Sequence, residues 1–306
     1  MASYIARRLV WSVVVVVATS LLVFLVTYLT GDPVALLVPP EGTKEDYTTL
    51  RHLYGFDRPL SIQYLDFAGR ALHGDFGDSL RHHEPALPMV LERLPNTLQL
   101  ATSALAVALL GSIPLGIISA IKRNSWVDTF AMLLALVGQS MPTFWLGIML
   151  ILVFAVSLHL LPAFGNTGPT SLVLPALTLG AYSMARLARL TRSNMIEVLG
   201  LDYVRTAAAK GLPQRQIVLG HALRNAAIPI VTLLGLETGN LLSGAIITES
   251  VFAYPGVGLL AVQAVVNHDV RLIQAVVVVV ASIFVVLNIV ADVACVALDP
   301  RIRLAR

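Results

Sequence analysis

Six apolar runs, each near the length needed to cross a bilayer, restrict the fold of this 306-residue chain more than any other feature. Hydrocarbon about 30 Å thick takes roughly 20 helical residues to span. The runs Leu9–Thr30, Leu98–Ile121, Val127–Val156, Leu172–Leu190, Ala226–Ser250 and Gln274–Leu298 meet that requirement. Composition agrees: 57% of residues are hydrophobic and 13% charged, where soluble domains carry about 25% charged residues. The expected fold is an all-α polytopic membrane protein with six transmembrane helices, one membrane domain over residues 1–306.

The runs divide the 21 basic residues unevenly. Fourteen, including Arg7, Arg8, Lys122, Arg123, Arg186, Arg189, Arg192 and those from Arg205 to Arg224, fall to one side, and seven to the other. Ten acidic residues crowd between Asp32 and Glu92. Basic loops stay in the cytoplasm, so both termini are expected there. The net charge of +3 is explained by loops and tails and needs no nucleic acid. Leu9–Thr30 exceeds a signal-peptide core and lacks an A-x-A-like cleavage site, so it reads as a retained first span. The single cysteine, Cys295, excludes an internal disulfide and reads as a small buried apolar residue.

Two segments outside the runs are structured. Residues 31–97 form an extracytoplasmic segment whose Leu53, Tyr54, Phe56, Leu60, Tyr64, Leu65 and Phe67 predict a small helical cap. Residues 191–225 form a cytoplasmic loop holding DYVRTAAAKGLPQRQIVLGHALRNAAIP, from Asp202 to Pro229. Asp202 can cap a first short helix, Gly211 suits the positive-φ residue that ends it, and Pro213 opens a second. A helix–turn–helix hung between membrane spans is a shape that another protein can grip.

Catalytic and metal chemistry find little support. A phosphate-binding P-loop needs Gly directly before Lys, but Lys44, Lys122 and Lys210 follow Thr43, Ile121 and Ala209. Gly256-Val257-Gly258 lacks the strand and helix of a dinucleotide site. His82 and His83 beside Glu84 do not share a helix face, which argues for a solvated loop over a metal site. No cofactor or catalytic residue is expected in this chain.

Glu237 is different, because a charge at mid-membrane costs about 2.5–3.5 kcal/mol on insertion scales. With Asn240, Gly244 and Thr248 it forms one stripe, opposite Gly235 and Gly239. The stripe predicts a translocation lining, the alternative being a hydrogen bond to a neighbouring span. Gln139 and Thr143, around Pro142 in the third run, are expected to share a face of a kinked span and line the same pathway. Pro114 and Pro175 are further candidate kinks. In ESVFAYPGVG (Glu249 to Gly258), Phe252 and Tyr254 suit a membrane interface and Pro255-Gly256 a turn.

RTAAAKGL (Arg205 to Leu212) followed by HALRN (His221 to Asn225) resembles the loop by which permease subunits of bacterial dipeptide/oligopeptide ABC importers dock onto their ATPases. YGFDRPL, GDFGDSL, RLPNTLQLA and the Glu249–Gly258 segment resemble the same family, so the likeness covers almost the whole chain. Arg205, Thr206 and Ala207 stand where the wider family has an acidic-Ala-Ala triplet, ahead of the fixed Gly211. The resemblance implies a second, related permease, two ATPase subunits that bind ATP and Mg, an extracytoplasmic substrate-binding protein, a peptide substrate, and the bacterial inner membrane as location. It implies ATPase coupling through Arg205, Thr206, Ala207, Ala208, Lys210, Gly211, Leu212, His221, Leu223, Arg224 and Asn225. The rival reading is an ion-coupled secondary transporter or channel that uses Glu237.

Overall fold

The computed structural model describes residues 2–29, 34, 43–53 and 55–298, less the side chains of residues 2–6, 9, 27–29 and 291–298. Tyr54, the Cys295 side chain, residues 30–33 and 35–42, and Arg301, Arg303 and Arg306 lie outside it. The described chain is helical: α1 (Ala2–Leu29), α2 (Lys44–Leu53), α3 (Leu60–Leu72), α4 (Ala86–Ile121), α5 (Trp126–Ser140), α6 (Thr143–Ser157), α7 (Val173–Leu199), α8 (Asp202–Ala209), α9 (Gln214–Val251), α10 (Val257–Val266) and α11 (Val270–Leu298). Among the described residues four helices are long and apolar enough to cross a membrane: α4, α7 with its preceding 3-10 turn, α9 and α11. The apolar stretch of α1 is Val10–Val26.

The third run is broken at Met141–Pro142 more sharply than a proline kink. α5 and α6 meet at an angle of 108°. Pro142 disfavours helix at the residue before it. Met141 and Pro142 are both extended, with ψ of 131° and 134°. Pro175 produces no mid-span kink, because it lies in the first turn of α7 where its missing N–H costs nothing.

Two compact units emerge. The first holds residues 1–96 and 255–286. Its core gathers Phe24, Phe67, Phe76, Val90, Val257, Leu260, Leu272 and Val276. Phe67 is the only buried residue of α3. It stacks on Phe24 at 6.2 Å, and the Tyr64 hydroxyl meets Ser20 Oγ at 2.9 Å. Leu53, Leu60 and Leu65, expected to build a folded surface, are exposed. Buried Asp269 accepts from Ser79 Oγ and from the Arg81 and Leu272 backbone N–H groups, fixing the 77–86 turn to the first turn of α11.

The second unit holds residues 97–254 and 287–306, and α7 is its centre. That helix packs on α5, α6 and α9. Between membrane helices, close approach by small residues supplies much of the packing energy. Gly180 shows this closely: a Cβ there would stand 2.6 Å from the Ala104 carbonyl oxygen of α4.

Candidate functional site

The Asp202–Pro229 segment forms the expected corner with two corrections. Leu201 takes the N-cap position in extended conformation, and Asp202 is the first helical residue. Its carboxylate accepts from Arg205 Nη1 at 3.3 Å and caps nothing. The second helix is not short either. Nothing breaks it after Gln214, so it runs through a π-helical stretch, Ile217–Ala222, into α9 as one 38-residue helix. Gly211 has φ +79° with open space around its missing Cβ, so the backbone conformation alone calls for glycine there.

Burial sorts the coupling candidates. Val204, Ala207 and Ile217 form a small core with Leu199 and Leu212 that seats α8 on the start of α9. Leu223 packs against the cluster of Ile117, Met195 and Val218. Ala207, Leu212 and Leu223 therefore hold the corner's shape. Arg205, Thr206, Ala208, Lys210, Gly211, His221, Arg224 and Asn225 form its exposed surface. Asn225 is committed within the chain, since its Nδ2 donates to the Tyr203 hydroxyl at 2.8 Å and to the His221 carbonyl at 3.1 Å.

The polar stripe of α9 packs inward. Glu237 is fully buried, with Ser183 Oγ donating to its Oε2 at 2.5 Å and Arg186 Nη1 standing 2.7 Å from its Oε1. Gly244 lies against Leu179 of α7, and Thr248 is buried. Only Asn240 of the stripe is exposed. The face expected to line a pathway is, in this conformation, the seam between α9 and α7, because Glu237 finds its counter-charge there. Gly235 and Gly239 are half-buried. Gln139 and Thr143 are half-buried on different helices, one on each side of the 108° break, so they share no helical face.

Phe252 and Tyr254, expected at the membrane interface, are buried in a core with Leu100, Ala104, Leu174 and Leu241. The Tyr254 hydroxyl reaches Gln99 Oε1 at 3.2 Å. Burial, aided by the Glu249 charge, holds that phenol above its usual pKa. The chain then turns into α10. Among the described residues no group of three His, Cys, Asp or Glu side chains is placed to hold a metal ion.

One network escaped the sequence reading. Buried Asp128 accepts from Arg192 Nε at 2.6 Å, Arg192 Nη2 at 2.7 Å, the Asn124 backbone N–H at 3.0 Å, and Ser119 Oγ. The local half was readable: Ser125 caps α5, accepting from the Asp128 N–H at 3.4 Å, as an S-x-x-D pattern predicts. The partner 64 residues on was not.

Two family models match the chain. The binding-protein-dependent transport system inner membrane component covers residues 112–304, and its N-terminal companion covers residues 1–101. The glutathione transport system permease proteins GsiC of Salmonella typhimurium (strain LT2) and Escherichia coli (strain K12) are each 40% identical over 304 residues, covering 99% of both chains. Among solved structures, an inward-facing MetNI methionine ABC transporter matches with a TM-score of 0.60, over 69% of this chain and 96% of that one. At 16% identity that likeness concerns the fold.

Proposed function

The chain belongs to the inner-membrane components of binding-protein-dependent transport systems, the permease subunits of ABC importers, and we propose that it lines half of a pathway for short peptides. Such a component is multi-pass, sits in the inner membrane and works with ATPase and substrate-binding partners. Our reading is that a second, related permease completes the pathway and that two ATPases bind the ATP and Mg. The GsiC relatives suggest that the substrates are small peptides, with the tripeptide glutathione in that class.

The observation that carries this reading is the Gly211 corner. An exposed corner bearing Arg205, Lys210 and Arg224 is locked, by the small core under α8, to the end of a 38-residue helix. An ATPase that displaced α8 would thereby move a rigid rod reaching the Glu237 seam. Both termini and this corner are assigned to the cytoplasm. The basic bias toward that side survives even without Arg186, Arg189 and Arg192, which lie inside α7. Residues 43–97, rich in acid, are assigned to the receiving side for the binding protein. The ion-coupled alternative loses its motive, since Glu237 already has Arg186 beside it.

The test is uptake by the full complex in proteoliposomes, with ATP and a pH gradient varied independently. Uptake should require ATP and the binding protein. Gly211→Val forces a β-branched residue toward positive φ, at a cost of about 1–2 kcal/mol or more. It should abolish substrate-stimulated ATP hydrolysis or shed the ATPases while the permease still inserts. Normal uptake in that variant would sink the coupling assignment. Gradient-driven uptake by this chain alone would overturn the importer reading.

A further inference from the structure

α7 is the most enclosed of the four long apolar helices, with 61% of its apolar stretch buried against 17–39% for the others. The C-terminal half of α7 still carries one exposed stripe: Tyr182, Arg189, Ser193 and Glu197 are exposed and Arg186 partly so. Their spacing of three to four residues keeps them on one face of the helix. Exposed Val173 and Leu177 lie on the opposite face, so the polar stripe begins at Tyr182. Lipid is a poor neighbour for such a surface, because an arginine at mid-span is costly unless it meets water, a counter-charge or protein.

Arg186 is held in an unusual way. Glu237, fully buried, stands behind it with Oε1 at 2.7 Å, while the arginine side chain is 32% exposed. The contact is one of charge and not an aligned hydrogen bond. The Tyr182 ring lies beneath the guanidinium, its centroid 5.8 Å from Cζ. A guanidinium has five N–H donors, and no aligned hydrogen bond engages those of Arg186 among the described residues. Arg192, two turns along the same helix, shows a satisfied arginine: its Nε and Nη2 are both taken by Asp128. Arg186 is thus held through Nη1 by a buried carboxylate, while about a third of its side chain stays exposed.

We propose that Arg186, backed by Glu237 and flanked by Tyr182, is a carboxylate-binding subsite on the pathway face of α7, which takes the free carboxylate of a short peptide in transit. The fork of an arginine matches a carboxylate with two parallel hydrogen bonds, a match that a lysine cannot reproduce. Because the cation is already positioned, little ordering opposes binding. This rests on the importer reading above and adds the chemical group by which the permease itself selects cargo.

The experiment uses the full complex in proteoliposomes, with the binding protein saturated by trialanine or by trialanine C-terminal amide, so that its own preference is removed. Wild type should move the free acid at least about tenfold faster per ATP than the amide. Arg186→Gln with Glu237→Gln keeps the buried site neutral. It should lower free-acid uptake by a similar factor and leave amide uptake unchanged. Arg186→Lys should fall between, affecting the acid alone. Equal handling of acid and amide by wild type overturns the proposal without recourse to any variant. An equal fall for both peptides in the double variant also overturns it, and would mean that Arg186 pairs with the partner permease. ATP-dependent uptake that ignores the carboxylate defeats this subsite only. Absence of ATP-dependent uptake of either peptide defeats the importer reading as well.

Discussion

Two buried carboxylates in the second unit each face an arginine of α7, and they are built to opposite ends. Asp128 at the start of α5 is saturated, with two arginine nitrogens, a backbone N–H and a hydroxyl all donating to it. Glu237 in the middle of α9 accepts one hydroxyl and stands beside a guanidinium that remains partly exposed. A saturated pair fixes geometry, because any movement breaks several charge-assisted bonds at once. An open pair fixes only the position of the cation and leaves its donors to whatever enters. Burial of an acidic residue within a membrane helix therefore does not by itself mark a pathway; what its partner still has to offer does.

The largest test of that contrast is Asp128→Ala. Removing one member of a buried pair leaves the other uncompensated, at a cost of about 3–5 kcal/mol. Arg192 keeps 27% of its side chain exposed, which places the expected loss at the lower end, about 3 kcal/mol. It should appear as a lowered thermal midpoint of the assembled complex in detergent. Asp128→Asn should be nearly as damaging, since an amide NH2 would be set against a site that offers only donors. A midpoint unchanged in both variants would show that the α5–α7 pair carries no structural weight.

That contrast also shows how far the sequence could be read. The apolar runs, the helices of 43–72 and the left-handed glycine at 211 follow from local pattern, and all were legible. So was a break near Pro142, although a proline announces only that helix is disfavoured before it. The 108° angle depends on packing that no local rule contains. Phe252 and Tyr254 were misplaced because aromatic residues at a span's end fit an interface and a core equally well by type. Glu237 was picked out correctly as costly, but its partner was not, because Arg186 lies 51 positions earlier on another helix. Asp128 went unnoticed as an ordinary residue near a loop. Pairings across helices are where one sequence falls silent.

A smaller effect is expected from moving α7 without touching any charge. Gly180→Ala places a methyl 2.6 Å from the Ala104 carbonyl oxygen, a backbone atom with nowhere to go. Overpacking of this kind costs about 1–3 kcal/mol. Because a two-pronged contact tolerates shifts poorly, the strain should loosen the Asp128–Arg192 pair more than the Glu237–Arg186 contact. Gly244→Ala meets only the movable end of Leu179, at 2.9 Å. Its strain is offset by the gain of about 1 kcal/mol from alanine over glycine in a helix, so its midpoint should barely change. Equal losses in the two alanine variants would refute this account of α7 packing.

A structural effect well below that of Asp128→Asn should come from Glu237→Gln, and there the contrast with Asp128 is sharpest. Glutamine keeps the size of the side chain and an oxygen for Ser183 Oγ. Its NH2 would confront Arg186, but that arginine is 32% exposed and free to swing outward. Glutamine breaks one charge contact here where asparagine at 128 opposes four donors, so the midpoint should fall by less than in Asp128→Asn. Function is where the change should register. Without the carboxylate behind it, Arg186 loses its fixed position and uptake should weaken in apparent affinity for free-acid peptides. Transport should remain dependent on ATP and indifferent to an imposed pH gradient, because the residue orients a cation and carries no proton. The measurement is uptake by the reconstituted complex across a range of binding-protein concentrations, at matched and unmatched pH. If Glu237→Gln destabilised the complex as severely as Asp128→Asn, the open pair would be a structural latch like the other. If it instead abolished a gradient dependence present in wild type, Glu237 would be a proton carrier and the distinction between the two carboxylates would have to be redrawn.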